Sequence, residues 1–453
     1  MRIADLSGLR VAVWGAGREG RAALAALAAR LPGQRVTVFC SETETPVARD
    51  AGPHAVTDTV APDAARLSAF DVVIKSPGIS AWRPEVIEAQ RNGTRFTSGT
   101  ALWFAEHPDA RTIAVTGTKG KSTVSALVAH FLRALGVRTA LAGNIGLPLL
   151  ELLDPPLMAD WWVIELSSFQ TRETPAVDIG LVNNVYEEHL DWHGSRERYV
   201  SDKLALADVA RTLVIPVAGE LPARTEAHPR RVAFGTDAGW HVADGFVCRG
   251  AEHVVALAES PLSGAHNAMN LCAALAAVEA AGFDATSAAP AIARFRPLPH
   301  RLQRLGERDG IAFVDDSIST TPEATREALA SLAGRAVTVL VGGHDRGLDW
   351  HGFADFIVAS PPHAIVTMGA NGSRIARVLR EAGGACQPIE AGDLADAFAK
   401  ATAAAPKGGV VLLSPGAPSF DQFRDYAERG RAFARLAGFD PDRIGTIEGL
   451  GIA

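Results

Sequence analysis

Nine short apolar runs punctuate the chain: RVAVWGAG, RVTVFC, DVVIKSPG, TIAVTGTKGKST, WWVIELSS, IGLVNNV, AVTVLVGG, AIVTMG and GVVLLSPG. Each passes into a loop with Gly, Ser or Asn, and alanine-rich stretches of helical spacing, such as VSALVAHFLRAL, lie between them. Continuous apolar runs of strand length predict strands buried on both faces, and their alternation with helices predicts parallel sheets of the α/β class. Ligands of such sheets bind at the carboxyl ends of the strands, so the loops after these runs are where function is sought.

Two seams divide the chain. One lies at Phe96-Thr97-Ser98-Gly99-Thr100, before the helix-like ALWFAEHP, and the other is the Pro-rich FRPLPHRLQRLG at 295–306. They predict three domains of about 100, 200 and 150 residues, a number in keeping with 453 residues. Residues 218–262 read as short strands and turns, an antiparallel excursion in the middle domain. The final GLGIA is expected to be loosely ordered.

Composition narrows the picture modestly. The residues are 47% hydrophobic and 21% charged, with a formal charge of −7 and a pI near 6.0. This balance fits a folded protein and argues against a sequence-independent nucleic-acid binder. Cys40, Cys248, Cys272 and Cys386 are far apart and lack C-x-x-C spacing, so neither a zinc site nor a disulfide framework is expected. No leader pattern opens the chain and no apolar run reaches about 18 residues, so a cytoplasmic protein without membrane insertion is expected.

The strongest local signal is Thr116-Gly117-Thr118-Lys119-Gly120-Lys121-Ser122-Thr123, between an apolar run and a helical stretch. Backbone N–H groups of a Gly-rich turn at a helix N-terminus cradle phosphate, a lysine reaches the outer phosphates, and a hydroxyl ligates Mg²⁺. Val115 stands where a full G-x-x-x-x-G-K-[ST] would have its first glycine. ATP binding is expected here all the same. A second turn, Gly15-Ala16-Gly17-Arg18-Glu19-Gly20, has the dinucleotide-binding spacing, but the acidic positions after the second run, Glu42 and Glu44, match a ribose-binding carboxylate only loosely. A nicotinamide enzyme is one reading; the diphosphate of another nucleotide held on the same helix N-terminus satisfies the same physics. Glu165 ends a buried apolar run, where a carboxylate needs a cation or donor, and His189 follows another. Carboxylate oxygens suit Mg²⁺ and imidazole is tolerable as one ligand of several. Base rates favour an ordinary hydrogen-bonded histidine at 189 when it is taken alone.

In order along the chain stand TGTKGKST, GNIGLP (143–148), ELSSFQ (165–170), NVYEEHLD (184–191), SGAHNAMN (263–270), PHR (299–301), DDS (315–317) and LSPGAPSFDQF (413–423). This ordered set, spanning nearly the whole chain, resembles the Mur ligase family. SPGI at 76–79, ELSSFQ and the SPxxxSxDQF loop point to its glutamate-adding branch. The resemblance implies a Rossmann-like domain at 1–102 for a UDP-sugar, a central P-loop ATPase-type domain at 103–301 and a C-terminal Rossmann-like domain at 302–453 for glutamate. The implied substrates are UDP-N-acetylmuramoyl-L-alanine, ATP and glutamate, with two Mg²⁺ ions and a monomeric enzyme. Gly15, Ala16, Gly17, Arg18, Ser76, Pro77, Gly78 and Asn144 then fall at the UDP-sugar. Asn267, Asn270, Arg301 and Asp316 join Gly117–Thr123 at ATP. Ser122, Glu165, His189 and Lys203, the last as a carbamate, fall at the metal ions, and Lys121, Glu165, His189 and Lys203 are the implied catalytic set.

Departures from the family pattern cluster in the third domain. The usual Asp-Ser-Lys-Ala-Thr-Asn reads Asp316-Ser317-Ile318-Ser319-Thr320-Thr321, with Pro322 biasing Thr321 toward extended backbone. Arg346 stands in for a lysine after the Gly-Gly pair, Pro418 and Phe420 alter the SPxxxSxDQF loop, and Tyr426 replaces a phenylalanine. Thr320, Arg346, Ser419 and Tyr426 match positions that hold glutamate, and an arginine fork is not equivalent to a lysine point charge. A remodelled clamp suggests L-glutamate in place of D-glutamate, drift around an unchanged D-glutamate site being the bland alternative. A folate polyglutamate synthetase lacks the N-terminal Rossmann segment. A nucleotide-binding scaffold has no use for Glu165, His189 and Lys203 together.

Overall fold

A computed structural model describes residues 1–51, 54–186, 190–262, 264–445 and 447–453. The chain forms two compact units, one of residues 1–295 with 449–453 and the other of residues 296–448. All nine apolar runs are strands, at Val11–Trp14, Val36–Phe39, Val72–Lys75, Thr112–Thr116, Trp161–Glu165, Val177–Val182, Val337–Val341, Ala364–Thr367 and Val410–Leu413.

The first unit holds two mostly parallel sheets. The N-terminal one orders its strands Ala55–Asp58, Val36–Phe39, Val11–Trp14, Val72–Lys75 and Arg95–Thr97, all parallel. Strand order reverses beside Val11–Trp14, which opens a crevice at the carboxyl ends of Val11–Trp14 and Val72–Lys75. The central sheet sets Thr112–Thr116 between Val177–Val182 and Trp161–Glu165, again in parallel. Helix Gly99–Glu106 joins the two sheets and packs Trp103 on Trp162 with ring centroids 4.5 Å apart. One continuous core runs beneath both sheets. Residues 240–256 form the expected antiparallel excursion, three strands in meander order.

The tail corrects an expectation. Gly451–Ile452 pairs antiparallel with Thr139–Gly143 at the edge of the central sheet. Arg133 donates from Nη1 to the Gly449 carbonyl at 2.8 Å and from Nη2 to the Gly451 carbonyl at 3.0 Å. These bonds are made to backbone oxygens, so the side-chain composition of GLGIA carries no trace of them.

The second unit is a six-stranded sheet. The parallel strands Ile311–Asp315, Val410–Leu413, Val337–Val341, Ala364–Thr367 and Ile389–Glu390 lie side by side, with Gln303–Arg308 antiparallel at one edge. Thr321 is extended, with φ −132° and ψ 151°, and caps helix Pro322–Ser331 as Pro322 requires. The α/β class with mostly parallel sheets is therefore as expected, and no helix among the described residues is long and apolar enough to cross a membrane.

Candidate active site

The two turns singled out in the N-terminal segment meet at the crevice. Trp14 and Lys75 are register partners, so Gly15 and Ser76 emerge side by side, and the Ser76 hydroxyl donates to the Gly15 carbonyl at 3.3 Å. Gly17 caps helix Arg18–Arg30 and directs its N-terminus into the crevice. A Cβ on Gly20 would lie 1.9 Å from the Gly15 carbonyl oxygen, so only glycine allows this strand–turn–helix approach. Arg18 reaches across to the Gly146 carbonyl at 3.0 Å, tying the turn to GNIGLP.

Behind this turn lies a group of ionisable residues, the half-buried Glu19 and Glu173 and the buried Lys75, that sequence reading did not single out. Desolvation, then repulsion by Glu151, pushes the Glu19 carboxyl up to about 7; Arg18 opposes this and Glu173 adds a smaller repulsion. Burial likewise raises Glu173, which bonds Ser98, and lowers Lys75, whose ammonium donates to the Ile79 carbonyl at 2.8 Å.

In the central sheet, Thr112–Thr116 runs through residues 117–120 into helix Lys121–Ala134. Gly120 caps that helix in the left-handed region at φ +76°, and a Cβ there would lie 2.4 Å from Asn270 Oδ1. The turn is held from below: Asn183 Nδ2 donates to the Lys119 carbonyl at 3.0 Å and to Asn270 Oδ1 at 2.9 Å, and Asn184 Oδ1 accepts from Lys119 N–H at 2.8 Å. Asn270 in turn bonds Asn267 at 3.2 Å, so these two residues of the SGAHNAMN motif lie against the turn. Thr118 Oγ1 accepts from Tyr186 N–H at 2.9 Å and sits 2.6 Å from the Tyr199 hydroxyl. Tyr199 went unnoticed in the sequence, although ERYVSDK places it one helical turn before Lys203.

Glu165 ends the strand beside Thr112–Thr116, opposite Val115. It is fully buried; Oε1 accepts from Asn144 Nδ2 at 2.7 Å, while Oε2 has no hydrogen-bond partner among the described residues. A buried carboxylate with one open oxygen beside a phosphate-binding turn fits a hard divalent cation. Lys203 is 2% exposed on helix Arg196–Val209, its ammonium 4.9 Å from the centre of the Tyr199 ring. Ser122 is buried in the first turn of its helix. His189 lies outside the described residues.

In the second unit, Ile318, Arg346 and Ser419 all follow the carboxyl ends of three adjacent parallel strands, Ile311–Asp315, Val337–Val341 and Val410–Leu413. Arg346 is exposed, Thr320 half-buried and Ser419 buried with no partner for its hydroxyl among the described residues. Tyr426 packs its ring edge-on to His300 at 5.9 Å. Asp316 is buried and accepts from Ser319, Ser414 and Leu302 N–H; desolvation outweighs those bonds and raises its carboxyl to about 6. Arg301, which immediately precedes Leu302, is half-buried. Arg429, missed at first, is buried with its guanidinium on Ser317 and one nitrogen open among the described residues; burial lowers it to about 10.

A Gly-Lys turn at a helix N-terminus, a buried carboxylate with one oxygen unpartnered among the described residues and a second Gly-rich turn lie in one unit, an arrangement that suits a P-loop enzyme of the nucleotide-using kind. Residues 115–278 match the Mur ligase middle domain, and residues 300–416 match the Mur ligase glutamate ligase domain. A UDP-N-acetylmuramoyl-L-alanine--L-glutamate ligase of Xanthomonas euvesicatoria pv. vesicatoria (strain 85-10) is 52% identical over 467 residues, covering 100% of both chains. A protein of the same name from Salinispora tropica is 40% identical, covering 96% of this chain and 98% of its own. Among solved structures, UDP-N-acetylmuramate-alanine ligase MurC from Thermotoga maritima shares the fold at a TM-score of 0.61 and 19% identity, over 95% of this chain and 99% of that one. MurF ligase from Thermotoga maritima, solved in complex with ADP, does so at 0.55 and 17%, over 79% and 91%. The chain belongs to the Mur ligase family. It is accordingly an ATP-dependent ligase that forms an amide bond in peptidoglycan synthesis, using ATP and Mg²⁺ as the family does.

Proposed function

We propose that the enzyme adds L-glutamate to UDP-N-acetylmuramoyl-L-alanine, acting as a monomer in the cytoplasm. Residues 1–102 take the UDP-sugar, 103–301 ATP and 302–453 glutamate. The observation that carries the choice of enantiomer is spatial: substitutions scattered from 318 to 426 converge on the carboxyl ends of three adjacent strands. Drift has no reason to concentrate there, whereas inverting one carbon of the amino acid demands a rebuilt clamp at that place. The names of the full-length relatives agree.

The chemistry follows from charge. A carboxylate is a poor acylating agent, so its oxygen bonds to the γ-phosphorus of ATP while the bond to the ADP oxygen breaks. The amine of glutamate then attacks the acyl carbon, phosphate leaves, and the ammonium proton passes to solvent. Lys121 and the N–H groups of 117–122 hold the phosphates as negative charge redistributes. Arg18 and the Ser76-Pro77-Gly78 turn fix the UDP end, and Asn144 holds Glu165 in place. Glu165, Ser122, His189 and carbamylated Lys203 would hold two Mg²⁺ ions, which supply charge neutralisation between the two anions. Thr320, Arg346, Ser419 and Tyr426 hold the amino acid. The test is phosphate release with UDP-N-acetylmuramoyl-L-alanine, ATP, Mg²⁺ and each enantiomer; turnover with D-glutamate alone refutes the proposal.

A further inference from the structure

Ser168, His193 and Asp202 are linked as a hydrogen-bonded chain. Ser168 Oγ lies 3.0 Å from His193 Nε2, and His193 Nδ1 lies 2.6 Å from Asp202 Oδ2. An ionised Asp202 can only accept, so Nδ1 carries the proton and Nε2 accepts from the serine. The order is that of a hydrolase triad, but the three residues are 5%, 0% and 1% exposed, and no substrate carbonyl can approach Ser168. Its use must be internal.

What the chain connects is informative. Ser168 lies three residues beyond Glu165, and Asp202 immediately precedes Lys203. The Asp202 carboxylate also accepts from Arg172 Nε and, at 3.2 Å, from Trp82 Nε1, while its backbone carbonyl accepts from Thr171 Oγ1 at 2.6 Å. Trp82 belongs to the loop after Ser76-Pro77-Gly78, and the Arg198 guanidinium lies over its ring at 4.4 Å. A second tie runs parallel: Ser80 Oγ donates to the Trp192 carbonyl at 2.7 Å, and Trp192 Nε1 donates to the Pro77 carbonyl at 3.1 Å. Thus one carboxylate gathers the loop after Glu165, the helix bearing Lys203 and the loop after the diphosphate turn.

We propose that Asp202 is a positioning residue that fixes Glu165 and Lys203 relative to the Ser76-Pro77-Gly78 turn, so that seating of the UDP-sugar and organisation of the cation-holding side chains are coupled through Trp82. This rests on the roles given above to Glu165, Lys203 and Ser76–Gly78. A buried carboxylate that accepts from three side chains, His193, Arg172 and Trp82, holds each of them in a fixed place, so the coupling is stiff. Trp82→Phe removes only the indole donor and keeps an aromatic ring over Arg198. Asp202→Asn keeps the shape and discards the charge.

The experiment compares wild type, Trp82→Phe, Asp202→Asn and the double variant. It measures KM for UDP-N-acetylmuramoyl-L-alanine, the Mg²⁺ concentration for half-maximal rate, KM for ATP and thermal unfolding. Each single substitution is expected to raise both the sugar KM and the Mg²⁺ requirement at least fivefold, with the ATP KM within twofold. The double variant should be no worse than the more severe single one. A Trp82→Phe enzyme with wild-type values for both, or effects that multiply in the double variant, overturns the proposal; so does a loss confined to thermal stability. Failure of the underlying roles shows separately, as full activity in Lys203→Ala or absence of sugar-dependent phosphate release by the wild type.

Discussion

Replacing Glu19 by glutamine should stabilise the protein at alkaline pH and leave it unchanged in acid. In the folded chain the Glu19 carboxyl is raised to about 7 from an ordinary 4.5, first by desolvation and then by Glu151 and Glu173. Between those values the folded state keeps a proton that the unfolded state has given up. Stability therefore falls as pH rises through the window, and the cost is complete above pH 7. A shift of that size corresponds to a ceiling of about 3 kcal/mol, or about 2 kcal/mol after allowing for the remaining solvent contact of Glu19. The first turn of helix Arg18–Arg30 favours an anion, but by less than about 1 kcal/mol, so desolvation wins. Removing Glu19 also relieves Glu173, which acts in the same direction. For a unit of this size about 2 kcal/mol is about 3 °C in Tm. Thermal unfolding of wild type and Glu19→Gln from pH 5 to 8.5 at constant ionic strength should show a gap that opens with pH. A gap independent of pH, or one that widens toward pH 5, would refute the reasoning.

Further consequences are open to measurement. Gly120→Ala combines a left-handed backbone with a Cβ 2.4 Å from Asn270 Oδ1, so ADP affinity measured by calorimetry should fall about tenfold or more, from a combined cost of about 2 kcal/mol; unchanged affinity would mean the turn does not hold phosphate. Deleting residues 449–453 removes the Gly451–Ile452 strand pairing and at least four further hydrogen bonds, two between Thr139 and Ala453 and two from Arg133. At about 1 kcal/mol each this should lower the urea midpoint of the first unit clearly, and an unchanged midpoint would show the tail strand to be idle. Lys203→Ala should lose most turnover and recover part of it with added short carboxylic acids that replace the lost oxygen ligand; undiminished activity in the untreated variant removes Lys203 from the mechanism.

The parts of the fold that were legible in the sequence are those written in side-chain hydrophobicity. Strands buried on both faces read as unbroken apolar runs, and each of the nine became one. The phosphate turn was legible because its function requires glycine at φ +76° and a lysine immediately after it. Interactions between distant segments left no local mark. Trp82 and Asp202 are 120 positions apart, and neither residue is unusual where it stands. The tail strand is held by backbone carbonyls, which every sequence possesses. Tyr199 and Arg429 read as ordinary members of amphipathic helices, and only burial with a hydroxyl on Thr118 or an open guanidinium nitrogen distinguishes them.

Glu165 poses a sharper question, because the reaction already forces a carboxylate toward a triphosphate, and a further buried anion at the end of the adjacent strand would seem to oppose it. Its surroundings decide its role. One oxygen is satisfied by Asn144, and the other is shielded from solvent with no partner among the described residues. The attacking carboxylate carries no proton, so phosphoryl transfer itself has no use for a general base at this position. An uncompensated buried carboxylate costs several kcal/mol, more than the protein could retain without return. Asn144 donates to Oε1 and thereby turns the free oxygen into a fixed acceptor, and the register Val115↔Glu165 holds that acceptor level with the strand that feeds the phosphate turn. On the proposed reading, the carboxylate that would otherwise oppose the reaction would be the one that holds the cation it needs.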